Sequence, residues 1–417
     1  LARLMPTGDT SNLDGPGPDG SINRRSSPLA DFLRAESSSA ILLAGGALAA
    51  LIWANSPWQS SYFSLWSREF GIKAGDLSLS FDVRHWINDR LMTPFFLVAG
   101  LEIKRELTKG HLSTLRAAML PCIAAAGGML IPALIYFSIA GSVEPRGWAI
   151  PVATDIALAL GALSVAGRRV PASGRVFLLA LAIVDDIGGI IIIAVVYSSG
   201  VSTLWFAVAC VSVIATLVLQ RTSIQSPAPY VALGICLWLA LHEAGIHPTI
   251  AGVVMGLLTP MTPHRTASTS PDAITIVEWL QHGLHRWTSL LVVPLFALAN
   301  SGIEISAEGL SQAARSPFTW GIFLGLFVGK PIGISIATGL TVRSGKSDMP
   351  TGLSRLQMVG VGSAAGIGFT VAMFITELAL SDAGDIAQAK IAILAASMLS
   401  AAVSVVVLRG VSSPANS

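Results

Sequence analysis

Residues 178–200, LLALAIVDDIGGIIIIAVVYSSG, hold two adjacent carboxylates, Asp185 and Asp186, inside an apolar run long enough to cross a bilayer. Asp155, in WAIPVATDIALALGAL, and Lys330, in LFVGKPIGI, are the other charges that fall near the middle of apolar segments. Each costs about 2.5–3.5 kcal/mol at the centre of a membrane helix, so each needs a partner or a wet cavity. Consecutive helical positions point about 100° apart, so Asp185 and Asp186 have separate roles. One can meet a cation such as Lys330 while the other lines a water-filled cavity. A desolvated carboxylate holds its proton tightly, and a small hard cation such as sodium prefers oxygen ligands. Proton and cation then compete. If Asp155 and Asp186 both deprotonate to receive one sodium ion, loading releases up to two protons. Thr154 can add a hydroxyl or carbonyl oxygen, and backbone carbonyls freed by a helix break can complete the shell.

The elements that must position these groups are membrane helices. The chain has 417 residues, 53% of them hydrophobic and 12% charged, where soluble domains carry about 25% charged residues. A formal net charge of +2 without a long basic run gives no phosphate track, which excludes nucleic acid as a partner. Apolar stretches predict about twelve spans, near 39–54, 86–103, 117–140, 148–166, 176–198, 201–219, 228–242, 245–260, 287–303, 318–341, 356–377 and 387–408. This is an all-α polytopic membrane protein. Residues 1–38 read as a mobile tail, 39–408 as one membrane domain and 409–417 as a short C-terminal tail. Cys122, Cys210 and Cys236 lie far apart in apolar segments, which predicts buried thiols and neither a disulfide framework nor a zinc site.

Orientation follows from the basic residues. Counting alternate loops, 18 of the 26 lysines and arginines fall on the side of the N-terminal tail, among them Lys104, Arg105, Arg169, Arg175, Arg355 and Arg409. The opposite side has 5, Arg68, Lys73, Arg84, Arg146 and Arg315. The positive-inside rule puts both termini in the cytoplasm. In the first outer loop, Leu77, Leu79, Phe81 and Val83 alternate with Ser78, Ser80 and Asp82 after an Ala-Gly-Asp turn signal, which predicts an extracytoplasmic β-hairpin. A lone hairpin is marginal in water, so it packs on the protein or pairs with a second copy.

Two spans carry the marks of interruption. Pro151 removes a backbone donor just before Val152, Thr154 and Asp155, and Gly360, Gly362, Gly366 and Gly368 precede Phe369 and Thr370. Close helix packing also explains glycines in a membrane helix. One broken helix per half is the pattern of inverted-repeat transporters, with the site where the breaks cross at the midplane.

Several separated motifs in the same order, ATDIALALGAL, LAIVDDIGGIIIIAV, VAGLEIKREL from Val98 to Leu107, VPLFALANSGI, LFVGKPIGI and GIGFTVAMFI, together resemble the bacterial NhaA sodium/proton antiporter family over about residues 35–408. The resemblance implies inverted repeats with crossing broken helices in the fourth and eleventh spans. It implies cation binding at Asp186, with Asp155 and Thr154 near the crossing, and a salt bridge between Asp185 and Lys330. It also implies a homodimer formed through the β-hairpin around Leu77–Val83, a transporter without enzymatic activity, and no cofactor beyond the carried sodium, lithium and protons. Activation by alkaline pH is implied as well, through a cytoplasmic cluster that here includes Glu102, Glu106, Glu278, His282 and His285, with His247 as a further modulator. One position departs from the family pattern: Gln281 precedes His282 where Glu is common, and the nearest acid is Glu278.

Two rival classes are weaker. An intramembrane aspartyl protease needs two membrane aspartates as a dyad, but the chain has no Gly-Xaa-Gly-Asp motif or Tyr-Asp pair in a span, and that chemistry leaves Lys330 without a role. A proton-coupled carrier of an organic anion needs a cation facing the cavity, and Lys330 is spoken for by an aspartate.

Overall fold

The computed structural model describes residues 28–74, 77–198, 200–222, 227–261 and 275–410. Most of the expected N-terminal tail and C-terminal tail, and the Gly-Asp turn at 75–76, lie outside the described residues.

Helix α1 (Pro28–Ala54) starts earlier than the expected span, on a proline whose fixed φ suits a first helical turn. It bends by 118° into α2 (Gln59–Trp66). Strands β1 (Glu69–Ala74) and β2 (Leu77–Asp82) follow as an antiparallel pair in which Phe70 faces Phe81 and Ile72 faces Leu79. The expected hairpin is therefore present, with Val83 already in the short α3 (Val83–His85). Then come a π-helical turn at Trp86–Leu91, α4 (Met92–Thr108) and α5 (Leu115–Ala140). A 3-10 segment (Pro145–Val152) leads into α6 (Ile156–Ala166), then α7 (Ala172–Val196), α8 (Thr203–Gln220), α9 (Pro227–Glu243) and α10 (Ile250–Leu258). The second half holds α11 (Ile276–Trp287), α12 (Val293–Asn300), α13 (Ala307–Arg315), α14 (Pro317–Leu324) and α15 (Lys330–Arg343). It ends with α16 (Arg355–Ala365), α17 (Phe369–Ala379) and α18 (Ala383–Gly410).

Five helices are long and apolar enough to cross a membrane among the described residues, and up to eight if each bent pair counts as one span. Both expected interruptions are present. The segment Pro145–Val152 meets α6 at 41°, and α16 meets α17 at 45°. Each break falls at a junction of the interior: Ala153 and Phe369 belong to one buried apolar cluster, Ala159 and Ala365 to another.

The cysteines correct an expectation. Cys122, Cys210 and Cys236 are exposed, because a membrane helix turns part of its apolar surface outward to lipid and apolarity alone does not mark the interior.

Close backbone contacts set the helix positions. On α5 and α15, Gly127 and Gly333 face each other so tightly that a Cβ on Gly127 would stand 2.5 Å from the Gly333 carbonyl oxygen. That contact lies one turn from Lys330 and fixes the depth at which its stem leaves α15.

Candidate functional site

The two breaks are joined through their freed backbone groups. The Asp155 amide donates to the Ile367 carbonyl at 2.6 Å, tying the gap before α6 to the gap before α17. Asp155 is also the N-cap of α6, with Oδ1 accepting from the Leu158 amide at 3.0 Å. Its Oδ2 accepts twice from Thr370, from the amide at 3.1 Å and from the hydroxyl at 2.8 Å. Thr370 stands in the first turn of α17, so this carboxylate faces the amide ends of two helices, where negative charge is favoured. The arrangement sets a carboxylate at the crossing on two backbone amides and a hydroxyl.

Asp185 and Asp186 diverge as the helical geometry requires. Asp185 is buried, and its Oδ2 lies 2.5 Å from Lys330 Nζ, whose side chain is also fully buried. The Thr154 hydroxyl lies 2.8 Å from both that Oδ2 and the Ala365 carbonyl, so its single proton serves one at a time. Asp186 turns instead into a cavity of about 70 Å3, room for a few waters, lined also by Glu102, Thr154, Asp155, Thr370 and His285. Among the described residues no side chain donates to the Asp186 carboxylate. Thr288 and Ser289 add further oxygens to the wall. Toward the hairpin side of the protein the wall becomes apolar, with Phe95, Phe96 and Val371 beside Asp186 and Phe374 packed 5.2 Å from Phe96. Among the described residues no three His, Cys, Asp or Glu side chains converge as a resident metal centre.

The remaining expected residues divide into groups. Glu102 and His285 line the cavity with the aspartates. Glu106 and Glu278 stand farther out, where Glu106 accepts from the His111 amide at 2.9 Å and Glu278 lies 3.6 Å from Lys109. Glu278 closes a capping box with Thr275. Burial would raise its pKa, but hydrogen bonds from Thr275 and the charges of Lys109 and Arg105 hold it below the ordinary 4.5. His282 is exposed, with Nδ1 2.6 Å from the Glu278 carbonyl, whereas Gln281 is buried. His247 lies away from the cavity, 4.0 Å from Asp89 and against Phe374.

Three groups escape a reading of the sequence. Thr370 closes on Asp155, which a quoted glycine-rich motif does not reveal. Asp89, at the edge of a span, is nearly buried and lies 2.9 Å from His85. Glu377 and Lys390 form a second ion pair at 2.6 Å between α17 and α18. The signal for that pair is present, since an acid ending one apolar run and a lysine opening the next are neighbours across a short turn.

Comparison with known proteins agrees with this architecture. The family model described as Na+/H+ antiporter 1 matches residues 30–408. The chain is 42% identical over 424 residues to the Na(+)/H(+) antiporter NhaA 2 of Sorangium cellulosum (strain So ce56), covering 93% of this chain and 91% of the relative. It is 40% identical over 422 residues to NhaA 2 of Myxococcus xanthus (strain DK1622), with 92% and 89% covered. It is 42% identical over 417 residues to NhaA of Janthinobacterium sp. (strain Marseille), with 91% and 92% covered. The chain belongs to the NhaA family of Na+/H+ antiporters, which are multi-pass membrane transporters and not enzymes.

Proposed function

We propose that the protein exchanges sodium or lithium for protons across the bacterial inner membrane, with Asp186 and Asp155 as the shared site for both ions. The observation that carries this reading is the contrast between neighbours. Asp185 spends its charge on Lys330, while Asp186 meets no side-chain donor among the described residues and lines the cavity beside Asp155. An oxygen-lined pocket holding two carboxylates and the Thr154 oxygens suits a hard cation and equally suits protons. Occupation by one excludes the other, which is sufficient for coupled exchange when the pocket opens to one side at a time. The break segments supply the moving element, and Phe96, on the wall beside Asp186, packs on Phe374 with ring centres 5.2 Å apart.

If both carboxylates load protons, two protons exchange for one sodium and each cycle moves one net charge. A membrane potential of 100 mV then biases the cycle by about 2.3 kcal/mol, so an inside-negative potential drives sodium out. Both termini face the cytoplasm in this reading, the dimer forms through the β1–β2 hairpin within the surrounding lipid, and alkaline activation acts through Glu102, Glu106, Glu278, His282 and His285, with His247 modulating from the other face. The test of the count is the balance of opposed sodium and pH gradients in proteoliposomes clamped with potassium and valinomycin. The balance point should shift with voltage. A balance indifferent to voltage overturns the two-proton count.

A further inference from the structure

Away from the cavity, the ends of α6, α7 and α18 bring three arginines to one place. Arg409, in the last turn of α18, donates from Nη2 to the Val165 carbonyl at 2.7 Å. Arg169 donates from Nη1 to the Arg409 carbonyl, and Arg175 donates from Nη2 to the Gly167 carbonyl at 2.9 Å. The acceptor at 165 is a carbonyl in the last turn of α6, which lacks a partner within the helix, and the Gly167 carbonyl just past it also accepts from the Val170 amide at 3.4 Å. Capping accounts for one N–H from each arginine, yet each guanidinium carries five. Among the described residues no carboxylate lies within ion-pair distance of any of the three. The side chains of Arg169 and Arg409 are exposed.

An apolar surface adjoins this charge. Val165, whose carbonyl receives Arg409, is 57% exposed, and on α18 Met398 and Val406 are 67% and 69% exposed. Positions 398 and 406 lie about two turns apart and so share one stripe of the helix. In a membrane protein such a stripe faces acyl chains. A ligand that fits both halves has an anionic head of phosphate geometry, which guanidinium groups bind in a bidentate manner, and a hydrocarbon tail.

We propose that the α6–α18 edge binds an anionic phospholipid, its phosphate on Arg169 and Arg409 and an acyl chain along Val165 and Val406. The bond from Arg409 to Val165 makes the lipid a clamp between α18 and the broken-helix segment α6, whose first residue follows Asp155. This assignment is independent of the ion chemistry proposed above.

Native mass spectrometry of the full chain, released from mixed micelles of phosphatidylglycerol and phosphatidylcholine, tests it. Wild type should retain phosphatidylglycerol at least fivefold over phosphatidylcholine, and R169Q/R409Q should lose at least threefold of that preference. Equal retention by variant and wild type overturns the site. Glycerol 3-phosphate at the same concentration should not displace the lipid; full displacement overturns the lipid in favour of a free phosphate. A phosphatidylglycerol with a photoreactive acyl chain, applied to the wild type alone, keeps the test independent of whether the variant folds. Its label should fall on peptides containing Val165 or Val406, and label confined to other helices contradicts the proposal.

Discussion

Lys330 is fully buried, and among the described residues the one carboxylate within ion-pair distance of it is Asp185. Removing one member of a buried pair costs about 3–5 kcal/mol, chiefly because the survivor is left uncompensated. Lys330→Ala should therefore melt well below wild type in detergent, and adding Asp185→Asn should recover part of the loss. Strictly additive losses in that cycle would argue against a paired role. Glu278 behaves differently, because its folded pKa is depressed and not raised. Its contribution to stability is full above the ordinary carboxylate value of 4.5 and disappears as pH falls through the lower folded value. Glu278→Gln should lower the melting temperature slightly at pH 7, and the difference should shrink as pH falls below 4.5; a loss that stays the same into acid would mean that the charge is irrelevant. Glu278 also stays ionised throughout the alkaline range, so any part it has in an alkaline response comes through its contact with Lys109 and not through its own titration. At this scale the sequence exposes what is costly: an acid or lysine in mid-span is conspicuous. Asp89, Glu377 and Lys390 are not, because a charge at a span edge is cheap until the tertiary fold encloses it.

The breaks before Asp155 and after Ala365 are legible from Pro151 and from the glycines at 366 and 368, since these residues remove a donor or weaken the helix. The angles of the breaks and their joining by the Asp155–Ile367 hydrogen bond belong to tertiary packing, which no local pattern encodes. The π-helical turns at Trp86–Leu91, Thr288–Val292 and Gly325–Gly329 are a further case. A proline follows each of them within three residues, at Pro94, Pro294 and Pro331. The missing amide leaves a carbonyl in the preceding turn unbonded and lets the helix widen there. The widened turns carry Asp89, Thr288 and Ser289 and lead into Lys330, so the signal is present but reads as an ordinary membrane proline. The element that delivers Lys330 is held by Gly333 against Gly127. Gly333→Ala has no room for its methyl group, and overpacking of this kind costs about 1–3 kcal/mol. A thermal melt should show that loss, with reduced exchange as α15 shifts away from Asp185; a wild-type melt would mean that α5 and α15 separate freely.

For the molecule as a whole, an apolar helical bundle, a β-hairpin and buried carboxylates at two helix breaks belong to one sodium/proton antiporter. The hairpin pairs as its alternating residues predict. The family, the helical bundle and the mid-span carboxylates are all legible in the sequence, because burying a charge in lipid leaves few alternatives. The arginine cluster at α6 and α18 is not, because Arg169 and Arg409 are 240 residues apart and meet only through the fold. In the proposed exchange, Asp186 is where sodium and protons compete. Asn at this position keeps the size of the side chain and removes the charge that both ions need. The most direct measurement is a sodium pulse applied to proteoliposomes holding a preformed pH gradient, with wild type and Asp186→Asn inserted in equal amounts. Wild type should collapse the gradient and Asp186→Asn should leave it at the level of empty vesicles. Collapse by the variant at the wild-type rate and sodium dependence would remove Asp186 from the transport site.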